Sequence, residues 1–345
     1  MTSPLQYVRP NILALTPYST ARDEFSGGNI SVWLDANENP YENGVNRYPD
    51  PHQKLLKQHI STLKGISENQ IFVGGAGSDE AIDLVFRIFC EPGRDNVITI
   101  APTYGVYKVA AATNNVALRE VMLGEQYSLP IDALLAAADE NTKVMWICSP
   151  NNPTGNAFSI EALEQLADAF NGIVVVDEAY VDFSPKGSML QVLHKHPNVI
   201  VLQTFSKAWG MAGLRLGMAF AAPEIAECFS KVKYPYNVNG PTQVEVIRRI
   251  QLGNSAQVDE ICAQRQWLQG QLSELCCVKH VYPSDANFFL VEVSQPNEIY
   301  DYLVNHGVIV RNRTRIAGCE GCLRITIGTP EENQKVIALL QQYQA

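Results

Sequence analysis

No run of this chain is apolar for long enough to cross a bilayer, which argues against membrane helices. The first residues, Met1 to Tyr7, have neither a basic head nor an apolar stretch, so no secretory leader is expected. Positive charge is scarce: 26 Lys and Arg against 36 Asp and Glu leave a formal net charge of -10. That balance argues against nucleic acid or an anionic membrane as the main partner, while leaving room for a local basic pocket. Cys319-x-x-Cys322 has no second Cys pair nearby, so zinc is not expected and two incidental thiols are the simpler reading. With no leader, the 8 cysteines are expected as reduced thiols in a cytoplasm, with Cys276-Cys277 serving packing. His194 and His196, around Lys195, read as a solvated turn. Gly74-Gly75-Ala76-Gly77 lacks the rest of a dinucleotide fingerprint or a P-loop, which places a nucleotide-binding protein far behind. Internal repeats and low-complexity tracts are missing too.

What the chain does have is a series of short unbroken apolar runs rich in Val and Ile: Ile71-Phe72-Val73, Val97 to Ile100, Val144 to Ile147, Ile173 to Val176 and Val199 to Leu202. Such runs fit strands buried on both faces, as in a parallel sheet. Helical patterns separate them. One follows Ser78-Asp79-Glu80, with an N-cap and early acids, and another follows Ser159. The alternation predicts an α/β fold: a large domain whose mainly parallel central sheet is covered by helices. The last third reads as a smaller α+β unit, with helices over 258–275, 298–305 and 331–342 and strands over 287–293 and 322–327. At 345 residues the chain exceeds one compact core. The expected division is a large domain over 30–243, and an N-terminal arm, 1–29, joined with a small domain over 244–345.

The residues able to do chemistry follow the ends of the apolar runs. Gly77, Ser78 and Asp79 follow the first, Pro102-Thr103-Tyr104 the second, Asn152 the third, Asp177 the fourth, and Ser206-Lys207 the fifth. Open α/β sheets bind ligands beyond the carboxyl ends of their strands, so five placements agree with one rule.

Each residue has a plainer reading. Most lysines are surface charges, yet Lys207 sits between a buried run and a glycine-rich loop, where its pKa can be depressed for nucleophilic work. Asp177 could be an ordinary cap or ion-pair member, but a carboxylate ending an apolar run needs a partner, and a protonated pyridine nitrogen is one. Tyr180 could be a packing tyrosine and Asn152 part of an Asn-Pro turn; together they could hold a phenolic oxygen. Tyr104 could stack on a ring or simply fill a Pro-containing turn. The helix start at Gly77, Ser78 and Asp79 offers N–H groups to an anion, and Ser206 and Arg215 would complete a phosphate cup. An amine, a carboxylate for a ring nitrogen, donors for a phenolic oxygen and a phosphate cup are what pyridoxal phosphate needs.

These motifs resemble those of fold-type I aminotransferases that use pyridoxal phosphate, over nearly the whole chain. More narrowly, the chain is similar to the histidinol-phosphate aminotransferase subgroup, through Leu15-Thr16-Pro17-Tyr18, Leu34 to Pro40, Asn46-Arg47-Tyr48-Pro49-Asp50, Gly307 to Asn312 and Cys322 to Gly328. The resemblance implies Lys207 as the lysine that bonds the cofactor. It implies a homodimer in which Tyr48 reaches the cofactor phosphate of the other subunit. It also places Tyr18 and Asn152 near the substrate, and has Arg311 and Arg324 hold its anionic groups. The implied reaction takes L-histidinol phosphate and 2-oxoglutarate to imidazole acetol phosphate and L-glutamate. One departure is Ala76, where many relatives carry Asn; backbone contacts would survive the change. The cofactor motifs alone leave open an aromatic amino acid aminotransferase, a decarboxylase of phosphorylated amino acids, or a cofactor-binding regulatory module.

Overall fold

The computed structural model describes residues 3–24 and 30–343. Met1 and Thr2 of the expected leaderless start, and part of the expected arm at 25–29, lie outside the described residues, as do 344 and 345.

The strands are β1 (Ile71–Gly77), β2 (Asn96–Ala101), β3 (Ala117–Met122), β4 (Thr142–Cys148), β5 (Ile173–Asp177), β6 (Val199–Thr204) and β7 (Gly217–Phe220). They form one sheet in the order β1-β7-β6-β5-β4-β2-β3. The pairs β2–β3, β2–β4, β4–β5 and β5–β6 are parallel, whereas β7 runs antiparallel to both β6 and β1. The unbroken apolar runs do what burial on two faces demands. Val174 and Val176 of β5 face one core cluster, while Ile173 and Val175 face the other. β4 divides likewise, Met145 and Ile147 to one side and Val144 and Trp146 to the other.

Two strands of this sheet lie outside the Val- and Ile-rich runs. β3 is a half-exposed edge strand with Arg119 and Glu120 in its middle, and β7 is four residues emerging from a glycine-rich loop. The helix after β1 spans Ser78–Phe89, so Gly77, and not Ser78, takes the cap position, with φ +78. The Ser159 cap is as expected: its hydroxyl accepts the Ala162 N–H at 3.2 Å ahead of the helix Ile160–Ala169.

The smaller sheet contains β8 (Val278–Val281), β9 (Phe288–Val293), β10 (Arg311–Asn312) and β11 (Cys322–Thr326), all antiparallel, in the order β10-β11-β9-β8. Helices Ser255–Ser273, Pro296–Asn305 and Pro330–Tyr343 accompany it, around a separate apolar cluster that includes Leu268, Phe289, Leu303 and Leu340.

His196 departs from the solvated-turn reading. It is buried, with its ring nitrogens 3.0 Å from Glu164 and 3.1 Å from Asp168, because the turn folds back onto the helix that carries both acids. Cys276 is exposed and only Cys277 is packed. Cys319 and Cys322 are buried against Leu290, and burial pushes their thiols up to about 11 and about 12. Among the described residues no cluster of His, Cys, Asp and Glu suits a metal ion, and no helix is long and apolar enough to cross a membrane.

Candidate active site

The loops at the carboxyl ends of β1, β2, β4, β5 and β6 meet β10 and β11 around a cavity of about 620 Å³. Gly77, Ser78, Asp79, Tyr104, Asn152, Asp177, Tyr180, Ser206, Lys207, Arg215, Arg311 and Arg324 all line it. Tyr18 and Tyr48 do not. Tyr48 stacks on Tyr236 with ring centroids 4.3 Å apart, and Tyr18 is exposed. The segment around Tyr48 is pinned by Glu38, whose carboxylate takes Arg47 at 2.8 Å, Arg22 at 3.4 Å and the Tyr48 N–H at 2.7 Å. That triple contact gives Glu38 a physical role within the Leu34 to Pro40 motif.

Strand alternation aims Asp177 to the same side as Val175, toward the packed aromatics Tyr107 and Trp146. Its Oδ2 accepts the Tyr107 hydroxyl at 2.6 Å and its Oδ1 the Ala179 N–H at 3.1 Å. Burial raises its pKa to about 6, even though both hydrogen bonds favour the charged form. A buried carboxylate of this kind gains from a cationic partner across the cavity.

Lys207 is exposed to the cavity, and its amine lies 5.6 Å from the centre of the Tyr180 ring. Desolvation, helped by the charge of Arg324, lowers its pKa, with Asp177 and Asp79 opposing. The neutral amine that chemistry requires is thereby made more available. Asn152 joins two sides of the cavity: its amide nitrogen donates to the Tyr180 hydroxyl at 3.4 Å, and its oxygen accepts from Arg324 at 2.5 Å. Burial raises the Tyr180 pKa, which keeps its hydroxyl a donor.

At the other end lies a cradle for an anion. A Cβ built on Gly217 would come within 2.1 Å of the Ser78 nitrogen, so close approach of backbone demands glycine there, while at Gly77 the demand comes from its backbone, φ +78. Arg215 adopts a left-handed backbone, φ +55, and its carbonyl accepts the Gly77 N–H at 2.8 Å. Its side chain bonds the Ala76 carbonyl at 3.0 Å and lies 3.6 Å from Asp79. Glu80 reaches back to the Gly75 and Ala76 N–H groups at 2.6 and 3.3 Å, which fixes the loop whatever side chain stands at 76. With Ser206 beside it, this set fits a phosphate, while Asp177, Tyr180 and Asn152 fit the ring of pyridoxal phosphate and Lys207 its aldehyde.

Sequence reasoning did not single out Tyr107, Glu80 or Arg313. Tyr107 lies within a helix and reaches Asp177 across 70 positions. Glu80 was visible only as an early helix acid, although its place three residues after the cap is the signature of a carboxylate that reaches back. Arg313, which also lines the cavity, sits two positions after Arg311, a spacing that puts both on one face of a strand.

The family model for aminotransferase class I and II matches residues 22–340. A histidinol-phosphate aminotransferase of Parabacteroides distasonis is 53% identical over 332 residues, covering 96% of each chain. One of Bacteroides thetaiotaomicron is 51% identical over 341 residues, covering 98% of each. Among solved structures, histidinol-phosphate aminotransferase from Sinorhizobium meliloti in complex with pyridoxal-5'-phosphate aligns with a TM-score of 0.78 at 26% identity, over 86% of this chain and 82% of that one. The chain belongs to the class I and II aminotransferase family.

Proposed function

We propose that this protein is a pyridoxal-phosphate-dependent histidinol-phosphate aminotransferase of histidine biosynthesis, moving the amino group of L-histidinol phosphate to 2-oxoglutarate. The observation that carries the reading is one cavity lined by Lys207, by Asp177 held from behind by Tyr107, by the Asn152–Tyr180 pair and by arginines on β10 and β11. Two relatives of that activity at 51–53% identity over nearly full length support the choice of substrates.

Bound pyridoxal phosphate supplies an aldehyde that condenses with amines and a ring that accepts the electron pair left when a neighbouring proton departs. The protein's part follows from its geometry. Gly77, Ser78, Ser206 and Arg215 would hold its phosphate, and Asp177 would favour a protonated ring nitrogen. Tyr180 and Asn152 hydrogen-bond the phenolic oxygen. Lys207 would hold the cofactor through its amine and, when free, would act as the base that takes the proton from the substrate's amine-bearing carbon and the acid that delivers it to the carbon of the cofactor's former aldehyde. Arg311 and Arg324 anchor the phosphate of one substrate and a carboxylate of the other, which planar guanidinium groups can both match. Both substrates take turns in one pocket, so the kinetics are ping-pong.

The quaternary arrangement is part of the same reading. Tyr18, Val32, Leu34 and Tyr41, in the same N-terminal stretch of chain as Tyr48, are large side chains 67 to 85% exposed, which suits cover by a second copy. In a homodimer, Tyr48 and Tyr18 would reach the site of the other subunit.

A single-turnover spectrum tests the function. L-Histidinol phosphate without acceptor should bleach the visible band of the lysine-linked cofactor, and 2-oxoglutarate should restore it. A band indifferent to histidinol phosphate would send the search to aromatic or phosphorylated amino acids, and release of carbon dioxide would make the protein a decarboxylase.

A further inference from the structure

The cavity wall formed by the small sheet carries more positive charge than a carboxylate needs. Arg311 and Arg324 are directly opposed in the β10–β11 register, and the pairing continues past β10, with the Arg313 N–H donating to the Cys322 carbonyl at 2.9 Å. Alternation then puts Arg313 on the same face as Arg311, roughly 7 Å further along. All three line the cavity. The Nε atoms of both Arg313 and Arg324 are buried without a hydrogen-bond partner. Among the described residues no carboxylate lies within ion-pair distance of any of the three, in a chain of formal charge -10. Burial, with Arg324 and Arg311 as like-charged neighbours, lowers the pKa of Arg313. Such a cluster is unfavourable by itself and improves with the charge of what it binds.

We propose that Arg313 is the specificity-determining residue for a phosphomonoester dianion, the third guanidinium of a site in which a carboxylate engages chiefly Arg324 and Arg311. This rests on the reading that the amino donor is a phosphomonoester. The chemistry of the two substrates separates them in space. In glutamate the α-carboxylate carbon is attached to the amine-bearing carbon, whereas in histidinol phosphate a methylene and an ester oxygen intervene before phosphorus. The phosphate therefore reaches further along the wall and carries about one more charge at a single centre.

The test is calorimetric binding to the cofactor-loaded protein. Its probes are glycerol 3-phosphate (an ester with no amine to react), inorganic phosphate and succinate, whose charges sit on separate carboxylates. R313Q should weaken glycerol 3-phosphate about 10- to 100-fold and succinate less than about threefold, the range of a charge-assisted contact, and R313K should recover part of the loss. In wild type the ester should bind less tightly as pH falls through about 6, where the dianion takes up a proton, and R313Q should flatten that dependence. Equal losses for ester and succinate, or no loss for either, would overturn the proposal. So would inorganic phosphate binding as tightly as the ester. Wild-type turnover of L-histidinol phosphate separates the two readings. Turnover with equal losses sinks only the role of Arg313; selective loss of ester binding without turnover retains the dianion site and removes the substrate.

Discussion

The Tyr107 hydroxyl donates to Asp177 at 2.6 Å, entirely within the buried face of the large sheet. Asp177 thus meets the cavity already oriented from behind. Tyr107→Phe removes the donor and leaves a carboxylate oxygen without its partner, which disfavours the charged form further. We expect stability to fall by about 1–3 kcal/mol and turnover to drop by about tenfold. Urea unfolding and steady-state kinetics would check this, and a variant matching wild type in both would show the contact to be idle.

The same carboxylate opposes folding of the cofactor-free protein as pH rises above about 4, and fully so above about 6. Its pKa rises from 3.8 unfolded to about 6 folded, so the native state binds the proton more tightly. Stability therefore falls as pH climbs through that window and stays reduced above it. Glu178, buried and pushed up to about 7, acts in the same direction over a slightly higher range. Asp177→Asn should stabilise the cofactor-free protein at pH 8 by about 1–3 kcal/mol relative to wild type, with no such gain at pH 4, while abolishing most turnover. Denaturant midpoints at the two pH values give the answer; equal shifts at both would sink the idea.

Glu80 holds the loop leading into the proposed phosphate cradle, yet does not line the cavity. Glu80→Ala frees the Gly75 and Ala76 N–H groups and the Asn237 amide that Glu80 also accepts at 3.0 Å. We expect affinity for pyridoxal phosphate to fall about 10-fold or more, as for loss of one charged hydrogen bond. Once cofactor is saturating, turnover should be largely restored. Fluorescence titration of the cofactor-free protein measures it, and an unaltered affinity would exclude a supporting role.

If sites are shared between subunits, defects can complement. Lys207→Ala and Tyr48→Ala homodimers should each be nearly inactive. Refolded together in equal amounts they should yield roughly a quarter of wild-type activity, because half the dimers are hybrids with one intact site. Activity no higher than the separate variants would place Tyr48 in its own subunit's site or in none.

Much of this was legible in the sequence because buried parallel strands are written as continuous apolar runs and their ends carry the chemistry. β5 and the step from Val176 to Asp177 could be read directly. β3 could not, since an edge strand pairs through backbone and need not be apolar. Tyr107 was hidden because its partner is distant in the chain and its helix position says only that it is buried. Arg313 was passed over for a different reason: what marks it is three like charges without an acid among them, and that exists only once β10 is laid against β11.

The cavity has two walls with separate origins. The lysine, aspartate and phosphate cradle come from the ends of the large sheet, while the guanidinium groups come from the β10–β11 hairpin some hundred residues later. Asn152 is where they touch, one amide face to Tyr180 and the other to Arg324. The two walls are therefore only partly independent: a substitution at Arg311 or Arg313 alters one wall alone, whereas a change at Arg324 is transmitted through Asn152 to Tyr180 on the other.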